Sequence, residues 1–127
     1  MTNLSTSSTS PIKHSLYENS QVGGKYTDRW LIDTDCGVDD AECIITSLHH
    51  LNVVGISCVA GNCPVSKSSL NVAKVLQACK REVPIYIGCV TPLINMVPDM
   101  PEVHGGDGMG DTELAKTIEG YTHCIQE

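Results

Sequence analysis

Short apolar runs alternate with segments of helical period through the middle of the chain. Residues 30–32 (WLI), 53–60 and 84–89 form the apolar runs, which have the length and composition of buried strands. Between them, apolar residues recur at helical spacing in residues 41–48 and again in residues 72–79. Ser66 is the expected N-cap of the second helix. The order β-α-β-α-β, with connections of this length, predicts right-handed crossovers and a Rossmann-like open parallel sheet of the α/β class.

Composition supports this class and argues against others. Four Tyr, one Trp and no Phe leave a core of Val, Ile, Leu, Ala and Cys, which suits a buried parallel sheet. The 8 Lys and Arg against 15 Asp and Glu give a net charge of −7, so we expect no nucleic-acid partner. No apolar stretch approaches the ~20 residues that span a bilayer, so we expect a soluble domain with no membrane segment.

The seven cysteines are an odd number, and residues 1–11 lack the apolar segment of a secretory signal. We therefore expect a reducing compartment, the cytoplasm. No Cys-x-x-Cys pair is present, which argues against a structural zinc site. The cysteines are expected to be small core residues and incidental free thiols.

A string of carboxylates follows the first predicted strand: Asp33, Asp35, Asp39 and Asp40. The carboxyl ends of parallel strands meet at one edge of a sheet, so this string should lie near Asn62, which follows the second strand. Crowded like charges favour a hard divalent cation with oxygen ligands. Helix capping by Asp39 and Asp40 is the simpler alternative, but it does not explain the two carboxylates at the strand end.

Known motifs narrow the alternatives for this string. An EF-hand loop needs Gly at its sixth position and Glu at its twelfth, where this chain has Val38 and Ile44. A dinucleotide fingerprint or a P-loop needs several glycines, and only Gly37 is present. A phosphotransferase of the haloacid-dehalogenase type, which uses an Asp-x-Asp pair, stays open, although an adjacent Asp39-Asp40 pair is not part of that pattern.

Residues 33–41 (DTDCGVDDA) resemble the opening signature of the inosine-uridine-preferring nucleoside hydrolase family. Four more segments resemble later family motifs in the same order: 59–62 (VAGN), 71–76 (NVAKVL), 83–88 (VPIYIG) and 104–111 (HGGDGMGD). The resemblance implies calcium-dependent hydrolysis of the N-glycosidic bond of ribonucleosides. It further implies a nucleoside as the substrate partner, Ca²⁺ as the cofactor and a possible homo-oligomer.

The resemblance also assigns roles to individual residues. It implies that Asp35 is both a metal ligand and the base that takes a proton from the attacking water, and that Asp40 is a second metal ligand. Asp39 would hold the ribose 2′-hydroxyl, Asn62 would lie beside the sugar, and Asp33 would be a supporting carboxylate. A ring of carboxylates suits an oxocarbenium-like transition state, because it stabilises developing positive charge.

The Gly-rich loop carries a further candidate, His104. A lone His in such a loop is more often an exposed loop residue, but the resemblance implies a catalytic residue near the nucleobase. Asp107 and Asp111 are expected to be turn residues of the same loop.

Members of the family are much longer than this chain, so the resemblance implies a truncated nucleoside hydrolase fold. We expect a flexible Ser/Thr-rich leader (1–28), the N-terminal part of the hydrolase domain (29–111) and a divergent tail (112–127). The missing parts include further calcium ligands, ribose-binding groups and a later His. Two hypotheses follow: an enzyme, or a non-catalytic calcium- and ribose-binding fragment that could regulate a full-length subunit.

Overall fold

The computed structural model describes residues 28–94 and 99–126. Its main elements are β1 (Arg29–Thr34), α1 (Val38–His50), β2 (Asn52–Cys58), α2 (Val65–Cys79) and β3 (Ile85–Ile87). The later elements are shorter: α3 (Pro101–His104), α4 (Glu113–Thr117), a 3-10 turn (Thr122–Cys124) and β4 (Ile125–Gln126). The predicted β-α-β-α-β order is therefore confirmed, whereas the predicted leader lies outside the described residues except for Asp28.

The four strands form one parallel sheet in the order β1-β2-β3-β4. A row of isoleucines crosses it, because Ile32 pairs with Ile56, Ile56 with Ile85, and Ile85 with Ile125. All four side chains contribute to the hydrophobic core or pack against it. The Rossmann-like parallel sheet is confirmed, with a fourth strand that the sequence pattern did not predict.

Both long helices contribute to a single core with this row of isoleucines. The core residues of α1 include Ile44 and Leu48, and those of α2 include Val72 and Leu76, all four at most 2% exposed. On the other face of the sheet, Leu31 is 72% and Tyr86 is 47% exposed. Both flank Gly55, where a Cβ would lie 2.8 Å and 3.1 Å from their side chains. Within the described residues, the sheet therefore has one covered face and one open face.

The ends of α2 correct one prediction and link the two helices. The sequence pattern predicted Ser66 as the N-cap, but the helix begins at Val65 after Pro64, whose carbonyl accepts the N–H of Lys67 at 2.8 Å. Pro lacks an N–H and has a fixed φ, so it suits the position just before the first turn. Beyond the other end, Arg81 Nη1 donates to the Leu48 carbonyl of α1 at 2.8 Å.

The segment before β4 packs along α2. Gly120 has a φ of +87°, and its N–H donates to Gln77 Oε1 at 2.6 Å. The next N–H, of Tyr121, donates to the Ala73 carbonyl at 2.9 Å. These two contacts lead the chain to β3, against which β4 pairs.

None of the described helices is long and apolar enough to cross a membrane.

All seven cysteines lie among the described residues and are free thiols, as expected. Four of them are buried: Cys36, Cys58, Cys63 and Cys124. Burial raises the pKa of Cys58 and of Cys63 to about 11, and it raises the pKa of Cys36 further. Because the thiolate is the reactive form, these core thiols are expected to be inert.

Thiol labelling is expected to separate the cysteines by burial. In the native chain the two exposed thiols, Cys43 and Cys89, should react with a disulfide reagent at pH 8 first. Cys79 should follow slowly, and the four buried thiols should react only after unfolding. In the Cys43→Ser variant, one thiol fewer should react in the fast phase. Fast reaction of all seven thiols in the native chain would contradict the described core.

Candidate active site

The loop between β1 and α1 is built around Asp40. Thr34 Oγ1 donates to Asp40 Oδ1 at 3.0 Å and accepts the N–H of Cys36 at 3.0 Å. The N–H of Gly37, the N-cap residue of α1, donates to Asp40 Oδ2 at 2.8 Å, which is the half of a capping box that the third helical residue supplies. Asp40 therefore caps the helix, as the simpler interpretation of the string predicted, and the same carboxylate also contacts the end of the second strand.

Asn62 joins the two carboxylates that were predicted as metal ligands. Its backbone N–H donates to Asp35 Oδ2 at 2.9 Å, and its Nδ2 donates to Asp40 Oδ2 at 3.1 Å. Asp35 follows β1 and Asn62 follows β2, so the two strand ends converge at one edge of the sheet as predicted. We call Asp35, Asp40 and Asn62 the carboxylate cluster.

Gly61 allows this close approach. A Cβ at Gly61 would clash with Asp35 Oδ2 and would lie 2.8 Å from both Cβ and Cγ of Asp35. The absence of a side chain at Gly61 therefore lets the backbone N–H of Asn62 reach the carboxylate. The glycine was part of a recognised motif, but its contact with Asp35 depends on the loop conformation and has no local sequence signal.

His104 lies beside this cluster, against the N-terminus of α1. It is 8% exposed, and its Nδ1 accepts the N–H of Val38 at 3.3 Å. The same atom lies 3.8 Å from Asp39 Oδ1, on a side chain that is 78% exposed. A neutral ring that accepts through Nδ1 carries its proton on Nε2. The structure thus brings the predicted His104 and Asp39 together, with His104 buried rather than exposed.

Gly37 provides the space for the imidazole ring. A Cβ at this position would lie 2.5 Å from His104 Nδ1 and 2.6 Å from Asn62 Nδ2. The ring and Asn62 of the carboxylate cluster therefore both occupy the space beside the Cα of one glycine. This packing joins the predicted catalytic histidine to the predicted metal ligands without a direct bond between them.

Asp33 is the predicted site residue that the structure does not bring to the cluster. Its Oδ1 accepts a hydrogen bond from Ser57 Oγ, and both residues lie in neighbouring strands on the open face of the sheet. Successive side chains of a strand point to opposite faces, so Thr34, and not Asp33, faces the helices. The supporting contact expected from Asp33 is made by Thr34, which bonds Asp40. The period-two alternation of β1 is the sequence signal that could have identified Thr34.

The loop after His104 is closed by two aspartates, as expected of turn residues. Asp107 Oδ1 accepts the N–H groups of Met109 at 2.7 Å and Asp111 at 2.9 Å. The Asp111 carboxylate accepts the N–H groups of Gly106 at 2.8 Å and Asp107 at 3.0 Å. Each carboxylate thus fixes the backbone that carries the other.

These contacts give the loop a pH dependence. Desolvation acts to raise the pKa of Asp107, but the N–H groups of Met109 and Asp111 and the charge of Lys74 outweigh it and hold this pKa below its ordinary value. Because the pKa of Asp107 is lower in the native state than in the unfolded chain, where it is about 3.9, ionised Asp107 stabilises the fold at pH values above about 3.9. This stabilisation is lost as the pH falls through the native pKa.

Asp107→Asn is therefore expected to reduce the acid sensitivity of the fold. The variant keeps an oxygen acceptor for Met109 and Asp111, so its melting temperature at pH 7 should stay close to that of the parent chain. Between about pH 5 and pH 3 its melting temperature should fall less steeply, because it has no charge to lose at this position. Thermal melts followed by circular dichroism test this, and equal slopes for the two proteins would contradict it.

Comparison with known proteins identifies the family. The chain matches the family of inosine-uridine preferring nucleoside hydrolases over residues 30–124. This range includes most of the segment 112–127, in which the sequence offered no recognisable motif. A similar protein is the non-specific ribonucleoside hydrolase RihC of Salmonella paratyphi A, which is 37% identical over 81 residues. The matched region covers 62% of this chain and 27% of RihC.

Solved structures agree with this assignment. The chain resembles a purine-preferring ribonucleoside hydrolase from Gardnerella vaginalis with a TM-score of 0.63 and 25% identity, over 68% of this chain and 29% of that one. It resembles the plant nucleoside hydrolase PpNRh1 with a TM-score of 0.61 and 28% identity, over 67% and 28% of the two chains. The chain thus spans less than a third of each relative. It belongs to the inosine-uridine preferring nucleoside hydrolase family.

Proposed function

We propose that this chain carries the water-activating part of a site that hydrolyses the N-glycosidic bond of ribonucleosides to the free base and ribose. The observation that carries the proposal is the carboxylate cluster, in which Asn62 holds Asp35 and Asp40 together at the carboxyl edge of the sheet. Membership of the nucleoside hydrolase family supports the reaction class.

Asp35 is the proposed base. The N–H of Asn62 binds its Oδ2 and orients the carboxylate, which directs Oδ1 to the proton of the attacking water. The water oxygen forms a bond to the anomeric carbon while the carbon–nitrogen bond breaks. The electron pair of the broken bond leaves with the nucleobase. Positive charge develops on the sugar, where the neighbouring carboxylates stabilise it.

His104 and Asp39 are proposed to contact the substrate. The exposed carboxylate of Asp39 suits a ribose hydroxyl, because it offers acceptor oxygens next to the cluster. Nδ1 of His104 is occupied by the N–H of Val38, so its Nε2–H is the group available as a donor on the nucleobase side. Asn62 would lie beside the sugar.

Ca²⁺ is the proposed cofactor, held by Asp35 and Asp40. Carboxylate oxygens are the donors that this ion prefers, and the bound ion would lower the pKa of a coordinated water. The donors fit in kind but not in number. No group of three His, Cys, Asp or Glu that could hold a metal occurs among the described residues. Ca²⁺ takes about six to eight oxygens, so water, substrate hydroxyls or further protein segments must complete its shell.

The short donor set favours a second candidate function. A chain with two carboxylate ligands that spans 27% of RihC could bind calcium and ribose weakly without turnover. It could then act as a regulatory partner of a full-length subunit. The two candidates differ in one product, free ribose.

A reducing-sugar assay separates them. The purified chain is incubated with inosine or uridine in the presence of Ca²⁺, and again with a calcium chelator. The first proposal predicts ribose release that the chelator abolishes. A folded chain that releases no ribose, but binds Ca²⁺ in a calorimeter, would support the second candidate. Release that the chelator leaves unchanged would contradict the calcium requirement.

A further inference from the structure

Asn71 is a buried amide in the middle of α2 that bonds two separate loops. It is 2% exposed, and its Nδ2 donates to the Cys36 carbonyl at 3.3 Å and to the Asp107 carbonyl at 3.0 Å. A carboxamide nitrogen has two hydrogens, so these contacts use its full donor capacity. One contact reaches the residue after Asp35, and the other reaches the loop that follows His104.

A third segment packs against the same nitrogen. Cys63 Sγ lies 4.0 Å from Asn71 Nδ2 and 3.9 Å from the Asp35 carbonyl. Cys63 directly follows Asn62, the residue that joins the carboxylate cluster. A Cβ at Gly108 would lie 2.9 Å from both Asn71 Nδ2 and Cys63 Sγ, so the His104 loop packs directly onto this point.

Asn71 differs from the other α2 side chain that holds this loop. Lys67, one helical turn earlier, donates to the Gly106 carbonyl at 2.7 Å, but this bond is exposed and water can replace it. The bond from Asn71 to the Cys36 carbonyl is buried, and its bond to the Asp107 carbonyl is part-buried. The loss of its donors would therefore leave the buried Cys36 carbonyl without this partner in a place that water does not readily reach. Asn71 is therefore the contact that fixes both loops on α2.

We propose that Asn71 is a positioning residue that sets the separation between the carboxylate cluster and His104. His104 Nδ1 contacts the segment that carries the two carboxylates through a 3.3 Å bond from the N–H of Val38. On the other side, Met100 accepts the N–H of His104 and donates its own N–H to the Asn62 carbonyl at 3.2 Å. With both loops anchored to one rigid helix, the bond from Val38 keeps its geometry. The catalytic meaning of this separation rests on the proposed function, whereas the anchoring itself does not.

Native-state hydrogen exchange of the chain tests the proposal with Asn71→Asp. This variant keeps the shape of the side chain, removes both donors and places a carboxylate against two carbonyls. Two amides report on the site: Val38, which donates to His104, and Asn62, which donates to Asp35. Their protection should fall at least about tenfold more than that of Ile56 in the sheet.

A merely structural role would instead lower the protection of all three amides by the same factor, and this result would overturn the proposal. Asn52→Asp, an identical exchange at the exposed start of β2, is the matched control and should change no site amide selectively. The measurement needs no turnover. An inactive chain would therefore count against the proposed function and leave the anchoring testable.

Gly108→Ala covers the case in which Asn71→Asp does not fold. Its added Cβ presses on Asn71 and Cys63 from the loop side, at a φ of +79° that an L side chain rarely adopts. The same selective loss of protection at Val38 and Asn62 is expected. Unchanged or uniformly lowered protection in this variant would overturn the proposal.

Discussion

Nucleoside turnover is expected to fall by about 10²–10⁴-fold when Asp35 is replaced by Asn. The exchange keeps the shape of the side chain and an oxygen that accepts the N–H of Asn62, so the local fold should persist. It removes the proposed base and one of the two proposed metal ligands. Initial rates of ribose release from inosine measure the effect. They are taken on the chain alone or on its complex with a full-length subunit, whichever has the higher turnover.

Asp107→Asn is the matched control for this experiment. It is the same exchange, in the His104 loop, at a carboxylate that bonds the loop backbone and not the cluster. Its turnover should stay close to that of the parent chain. Near-normal turnover of a folded Asp35→Asn variant would contradict the assignment of Asp35 as the base.

Gly61→Ala is expected to damage the cluster without any change in its polar groups. The new methyl group would overlap the side chain of Asp35 at its Cβ and Cγ as well as its carboxylate, so rotation of the carboxylate alone cannot relieve the contact. Overpacking of this kind costs about 1–3 kcal/mol. Displacement of a reacting group by about 1 Å can cost about a hundredfold in rate, so turnover should fall by about this factor in a variant that stays folded.

Thermal melts and ribose-release rates measured together test this expectation. Gly106→Ala is the matched control, because a Cβ there would meet its nearest neighbour, Asp111 Oδ1, at an ordinary 3.6 Å. Equal turnover in the two glycine variants would show that close packing at Gly61 does not position Asp35.

The sheet and its helices were predictable because burial imposes a period on each segment. Apolar residues such as Ile44 and Leu48 recur at helical spacing, and both lie in the core. The fourth strand, Ile125–Gln126, was not predictable because two residues carry no period. Its place depends on the contacts of Gly120 and Tyr121 with α2, which are distant in sequence.

The candidate site was predictable as a set of strand ends and not as a set of contacts. Parallel topology places Asp35 and Asn62 at one edge of the sheet, and the structure joins them there. The direction of an individual side chain follows the strand pleat, which turns Asp33 to the open face and gives its expected role to Thr34. The contact of His104 with the start of α1 depends on long-range packing against Gly37, for which local sequence has no signal.

Calcium binding by the isolated chain tests the central claim most directly, because the claim is that Asp35 and Asp40 form one shared site. Isothermal titration of the chain with Ca²⁺ should show saturable binding of one ion, with a Kd of about 10⁻⁴–10⁻³ M. Both Asp35→Asn and Asp40→Asn should abolish it, while Asp107→Asn should retain it. Binding that survives in either cluster variant, or no saturable binding by the folded parent chain, would contradict the account.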